Sequence, residues 1–142
     1  QLNLNLKAVW SGAQAAAMIM KKNGGGTIIN ISSAASGKAS PFNGPYAVAK
    51  TGVDNLTQTL SSELARYNIR VNGVSPGPIP TEVFLEFLKL EEKDIPTLGK
   101  KFGIPLGRVG DPDDISPAVV FLASSASSWM TGETIVIKGG HA

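Results

Sequence analysis

Residues 27–77 read TIINISSAASGKASPFNGPYAVAKTGVDNLTQTLSSELARYNIRVNGVSPG, and the fold turns on how they are divided. Thr27-Ile-Ile-Asn-Ile-Ser32 is a short β-branched run between glycines and a Ser/Ala/Gly loop, the pattern of a buried strand. Ser40-Pro41 and Asn43-Gly44-Pro45 are turn signals, and Pro45 suits the first turn of a helix. The spacing then predicts a helix from about Tyr46 to Tyr67, with Val53, Leu56, Leu60 and Leu64 on one face and Asn68 as a left-handed stop. Ile69 to Ser75 alternates into a second strand, halted by Pro76-Gly77. Two strands joined by a helix of about twenty residues form a βαβ unit, which crosses over right-handedly and keeps its strands parallel. Ser33 and Pro76-Gly77 therefore open on one edge, at the carboxyl ends of strands, where open α/β sheets bind ligands.

On that edge, Tyr46-Ala-Val-Ala-Lys50 sets a phenol and an ammonium four residues apart on one helix face. A tyrosine is a poor acid–base at neutral pH, since its unperturbed pKa is about 10. A fixed cation nearby favours the phenolate and moves it towards the range of efficient proton transfer. The Ser33 hydroxyl, arriving from the strand end, can hold the oxygen that gains or loses the proton. This is equipment for interconverting an alcohol and a carbonyl, provided another group takes the hydride. Plainer readings stand beside it. Tyr-x-x-x-Lys alone is common on helix surfaces. Asp54, four residues beyond Lys50, can form a surface ion pair with it, and Ser33 can bond its own turn.

Composition narrows the chemistry. The chain has 142 residues, 42% hydrophobic and 17% charged, which supports one domain-sized core. Its net charge of +2 is spread without a basic run, so neither nucleic acid nor a membrane surface is expected as a partner. The absence of cysteine excludes disulfides, thiol catalysis and cysteine metal sites. The single histidine, His141, sits at the very end, which argues against a histidine metal site or a Ser-His-Asp triad; no metal is expected. No apolar run reaches the ~18 residues that span a bilayer, and the start does not resemble a signal peptide. A cytoplasmic location is the default.

Gln1 to Lys22 reads as a helix rich in small residues, with Val9, Trp10, Ala13, Ala16, Ala17 and Met20 as an apolar stripe. Asn23-Gly24-Gly25-Gly26 ends it. No capping residue precedes this helix, so the chain is expected to start inside an element, as a truncated product would. Residues 79–107 hold prolines at 80, 96 and 105, the charged run Glu91 to Asp94, and the apolar set Val83, Phe84, Phe87 and Leu88. That pattern fits an amphipathic lid over the site and fits a solvated helical loop equally well. Asp111-Pro112-Asp113-Asp114 opens another helix, its carboxylates read as a helix start rather than metal ligands. Val119, Val120, Phe121 and Leu122 are expected to bury its far side. A last strand, Thr134 to Ile137, ends at Gly139-Gly140.

Taken in order, these pieces resemble the carboxyl-terminal half of a short-chain dehydrogenase/reductase. The resemblance rests on Asn5 in NLNLKAVW, the strand ending at Ser33, Tyr46-Ala-Val-Ala-Lys50 and the stretch Ile69 to Gly77. It continues through Pro78-Ile79-Pro-Thr81, Pro105-Leu-Gly-Arg108, Phe121-Leu-Ala-Ser124, Thr131-Gly132 and Gly139-Gly140. It implies an α/β fold: residues 1–142 as a single partial domain, the last three strands and flanking helices of a doubly wound, parallel, Rossmann-type sheet. It also implies an NAD or NADP cofactor and hydride transfer between a nicotinamide and a secondary alcohol or ketone, a small molecule of the hydroxysteroid, 3-oxoacyl or sugar-like classes. In that scheme Tyr46 is the acid–base, and Lys50 lowers its pKa and holds the nicotinamide ribose. Ser33 orients the substrate oxygen, and Asn5 places a water in a proton relay ending at Lys50. Tyr46, Lys50, Pro76, Gly77, Ile79 and Thr81 match cofactor-binding positions, with the last four passing beneath the nicotinamide. Ala35, Phe42, Pro78 and Phe84 fall where the family lines its substrate pocket.

Nothing in these residues matches the family's glycine-rich phosphate turn, its NAD- or NADP-selecting residue, or the Asn-Ala-Gly stretch ahead of Asn5. The segment alone is therefore expected neither to hold the dinucleotide nor to turn over substrate. The resemblance further implies a homotetramer or homodimer, paired through the helices at 8–17 and 46–67. The competing reading is a non-catalytic assembly or binding module with a dehydrogenase-like fold. Intact Asn5, Ser33, Tyr46 and Lys50 weigh against it, because a scaffold needs none of them.

Overall fold

A computed structural model describes residues 1–141. Its centre is a parallel three-stranded sheet in the order β1 (Gly26–Ile31), β2 (Ile69–Pro76), β3 (Thr134–Ile137). Gly26 lies opposite Ile69 and Ile31 opposite Val74; Gly73 pairs with Thr134 and Pro76 with Ile137. The central strand is buried along almost its whole length, as a strand covered on both faces must be. The sequence places the end of the first strand at Ser32, one residue beyond the observed β1. Pairing nevertheless runs on, because Ser32 N–H donates to the Val74 carbonyl and Ala34 N–H to that of Pro76, both at 2.8 Å. Ser33 is thereby delivered beside the end of β2.

Among the described residues α1 (Ala8–Lys22), α2 (Gly44–Leu64) and α5 (Pro112–Ala123) flank the sheet, while α3 (Glu82–Leu88) and α4 (Ile95–Lys101) lie in the segment between β2 and α5. Leu56, Leu60 and Leu64 of α2 pack with Ala13 and Ala17 of α1 on Ile28, Ile69 and Val71, which forms the core of one sheet face. A short 3-10 turn follows α2, and Asn68 stops it at φ 57°, the left-handed conformation that asparagine tolerates. The opposite face is covered by α5, whose start is capped as its sequence predicts. Asp111 accepts from Asp113 N–H at 2.9 Å, while the Asp114 carboxylate accepts from Asp111 N–H at 2.8 Å.

Three expectations change. The first turn, Asn3–Lys7, is wound as a π-helix before α1 begins, and Trp10 lies at the margin of the stripe, partly exposed, while the small Ala13 and Ala17 make the close contact. In α5, Leu122 is fully buried but Val120 is 66% exposed. Four successive residues at about 100° each travel right round a helix, so 119–122 cannot share one face. In residues 79–107 the apolar set also divides. Val83 and Phe87 point outward, whereas Phe84 joins Leu98, Ile104 and Val109 in a small core of the segment's own.

Candidate active site

Lys50 is 9% exposed, in a helix turn otherwise buried through Ala47, Ala49 and Val53. Its stem runs along the sheet and its Nζ donates to the Ile31 carbonyl at 2.9 Å. Neighbouring residues of a strand turn their backbone groups to opposite sides. Since Ser32 N–H bonds to β2, the Ile31 carbonyl faces the open side of β1, and the ammonium sits there, two residues before Ser33. The strand tip is tied back to the helix, because Ser32 Oγ donates to the Lys50 carbonyl at 3.1 Å. Lys50 Nζ also lies 5.6 Å from the ring centroid of Tyr46, within cation–π range. Burial pushes the Lys50 ammonium below the ordinary lysine range, and the Asp54 carboxylate acts against that. The plain alternative, a surface Lys50–Asp54 ion pair, is not what forms: no such pair occurs among the described residues.

Ser33 Oγ accepts from the Ala35 N–H at 3.2 Å, an interaction within its own turn that leaves the hydroxyl hydrogen available to donate. The loop beyond it is strapped to the helix. Gly37 N–H donates to Thr51 Oγ1 at 2.8 Å, and that hydroxyl donates to the Ala47 carbonyl at 2.9 Å. Ser33, Tyr46 and Lys50 thus belong to one hydrogen-bonded unit of strand tip, loop and first helix turns. Asn5 shares no side-chain hydrogen bond with it. Leu6 packs on α2, where a Cβ added to Gly52 would lie 3.0 Å from the leucine methyls. The Asn5 amide itself turns to Gln1, donating to its Oε1 at 2.7 Å. Ala35 is half-buried in the loop, while Phe42 is fully exposed at φ 63°.

At the end of β2, Gly77 N–H donates to the Ile137 carbonyl at 2.8 Å. A Cβ there would stand 2.8 Å from Lys138 Cα, so only glycine lets the end of β3 come this near. The Pro78 carbonyl accepts from Gly110 N–H at 3.0 Å, and that of Ile79 from Thr81 N–H at 2.8 Å. Thr81 caps α3 through Phe84 N–H at 3.3 Å. Phe84 meets Phe102 edge to face, with centroids 6.2 Å apart, and so is committed to the segment's core. Gly77, Pro78, Ile79, Arg108 and Lys138 help line a cavity of about 150 Å³. One wall is the Arg108–Asp114 pair, two hydrogen bonds of 2.6 and 2.8 Å. The guanidinium, helped by the Asp111 N–H, holds the Asp114 carboxyl down at about 2.

Sequence reasoning passed over Thr51, Arg70 and Asn72. Arg70 donates to the carbonyls of Leu122, Ser124 and Met130 and to Ser127 Oγ. Asn72 is fully buried, donates to the Met130 carbonyl at 2.9 Å and accepts from Glu133 N–H at 3.1 Å. The available signal was a charge and an amide inside an otherwise apolar central strand, which demands internal partners. Thr51 carries no comparable signal. No group of three or more metal-ligating side chains occurs among the described residues, and no helix is long and apolar enough to cross a membrane.

With this geometry in hand, the chain can be set beside known proteins. The family model described as enoyl-(acyl carrier protein) reductase matches residues 1–142. A 3α-hydroxysteroid dehydrogenase of Mediterraneibacter gnavus is 42% identical over 138 residues, covering 97% of this chain and 53% of that protein. A gluconate 5-dehydrogenase of Burkholderia cenocepacia, solved with NADP and tartrate, superposes with a TM-score of 0.87 at 39% identity, over 98% of this chain and 53% of its own. A 7α-hydroxysteroid dehydrogenase, solved with NADH and 7-oxo glycochenodeoxycholic acid, gives 0.85 at 33% identity, over 97% and 52%. The chain spans about half the length of the proteins it matches.

Proposed function

The chain belongs to the short-chain dehydrogenase/reductase family, and from that premise we propose that it supplies the catalytic half of an NAD(P)-dependent oxidoreductase acting on a secondary alcohol or ketone. The observation that carries the reading is the inward course of Lys50, buried beneath Tyr46 at the strand tip that leads to Ser33. The donor set fits a nicotinamide nucleoside. An ammonium has three donors, the Ile31 carbonyl takes one, and two remain for ribose hydroxyls. Thr81 accepts with its oxygen at the α3 cap and keeps its own hydrogen to donate.

When bound, the nicotinamide supplies or accepts the hydride. This chain's residues handle the proton and the geometry. Ser33 donates its hydroxyl hydrogen to the substrate oxygen and fixes its position. Tyr46 gives its phenolic proton to that oxygen as a ketone is reduced, or takes one as an alcohol is oxidised. The Lys50 ammonium stabilises the negative charge that develops on the phenol oxygen. Gly77 to Thr81 form the floor, residues 79–107 act as the substrate lid, and Ala35 and Pro78 line the substrate pocket. Asn5 serves the relay once its amide leaves Gln1. The relatives solved with NADP and with NADH match this half about equally well, so the choice of dinucleotide is assigned to residues outside it. The exposed Leu4, Met18 and Ile19 near and on α1 support a homo-oligomeric assembly.

Two experiments test this. The full-length protein is assayed for NADH- and NADPH-dependent reduction of hydroxysteroid ketones, 3-oxoacyl thioesters and ketosugars. Turnover of at least one is expected, and inactivity across the panel counts against the reading. The isolated 142 residues are titrated with NADH and NADPH by fluorescence. Micromolar binding contradicts the view that the segment alone cannot hold the dinucleotide.

A further inference from the structure

Asp54 lies on α2 one turn beyond Lys50 and on the same face, at a spacing that puts Cβ atoms about 5–6 Å apart. Its Oδ1 is shut off from solvent, and no group among the described residues donates a hydrogen bond to it. Helix carboxylates normally turn to water, and a buried acceptor without a donor needs a physical reason. Lys50 supplies one. The Lys50 side chain is largely buried and its ammonium holds only a neutral carbonyl, an arrangement that burial alone drives towards the uncharged amine.

The other acid on α2, Glu63, lies thirteen residues beyond Lys50, more than three turns away, and the charged groups on the elements packed around Lys50 cannot help, because they are cationic. Lys7 ends the π-turn that lies on α2, and Lys21 and Lys22 end α1. Arg70 of β2 is directed into the end of α5, and Lys38, in the loop beyond Ser33, faces Lys138. β1 carries no charged side chain. The offset between Asp54 and Lys50 is itself useful. A direct ion pair would occupy a donor of the ammonium, whereas a carboxylate one turn away supplies its field and leaves the donors free.

On the reading of Tyr46 as the acid–base, we propose that Asp54 is a positioning residue: acting through Lys50 rather than on substrate, its carboxylate keeps that ammonium charged and drawn in beneath Tyr46. Asp54→Asn keeps the shape and removes the charge; Asp54→Glu keeps the charge. In the full-length protein with ¹³Cε-labelled lysine, the Lys50 signal is assigned by its loss in Lys50→Met and titrated by NMR. Asp54→Asn is expected to lower the Lys50 midpoint by about one pH unit, a tenfold loss of proton affinity, and to bring the alkaline limb of the kcat/KM profile down by the same amount. Asp54→Glu is expected to keep both near wild type. A midpoint unmoved in Asp54→Asn, or moved equally in Asp54→Glu, overturns the proposal. The NMR titration needs no turnover, so it judges Asp54 even if no ketone is reduced, a result that would count against the Tyr46 reading instead.

Discussion

Replacing Arg70 by methionine should cost about 3 kcal/mol of folding stability. The guanidinium leaves β2 on the face opposite the α1–α2 core and closes the carboxyl end of α5. It donates to Leu122 O at 3.0 Å, Ser124 O at 3.1 Å, Ser127 Oγ at 3.1 Å and Met130 O at 3.3 Å. The last carbonyls of a helix lack internal donors, and a cation there is favourable. Hydrogen bonds from a charged donor contribute about 1.5–3 kcal/mol each at most. Four to one side chain are not additive, and the outer acceptors regain water, which brings the sum down to the figure given. By melting of the full-length protein the loss should read as a fall of roughly 6–12 °C. Amide exchange should quicken at Gly132, whose N–H donates to Val71 O beyond this turn. Arg70→Lys should recover less than half, since one ammonium cannot reach both sides of the turn. A loss below about 0.5 kcal/mol, the range of ordinary surface changes, would refute the idea that this guanidinium holds the end of α5.

The Asp114 carboxyl is held at about 2, against an ordinary value of 3.8, chiefly by Arg108. A folded value below the unfolded one stabilises the protein fully above pH 3.8 and loses that effect as pH falls towards 2; in Arg108→Gln this part of the acid slope of melting temperature should flatten. Leu98 is fully buried in the small core of residues 79–107, so Leu98→Ala should cost about 2–5 kcal/mol, seen as faster proteolysis within 79–107.

The βαβ unit was legible because its signals are local: β-branched runs, turn residues, a heptad-like leucine face and Asn68. The cap of α5 was legible for the same reason. What the chain does not spell out is direction. Spacing puts Tyr46, Lys50 and Asp54 on one face but cannot say whether that face is wet, and only the crossing of α2 over β1 shows Lys50 going in and leaving Asp54 without a direct ion pair. Phe84 and Phe42 show the same limit. Both are aromatic and near the site in sequence, yet one packs on Phe102 and the other stands in solvent. Arg70 and Asn72 depend on partners more than fifty residues away, which no local pattern encodes.

The acid–base assignment is tested most directly by Tyr46→Phe in the full-length protein, with dinucleotide-dependent kcat/KM and melting temperature measured together. The account predicts a fall of about 10²- to 10⁴-fold in kcat/KM with the melting temperature essentially kept, since only one oxygen atom of a half-buried side chain is removed. Undiminished turnover, with the protein folded, would contradict it.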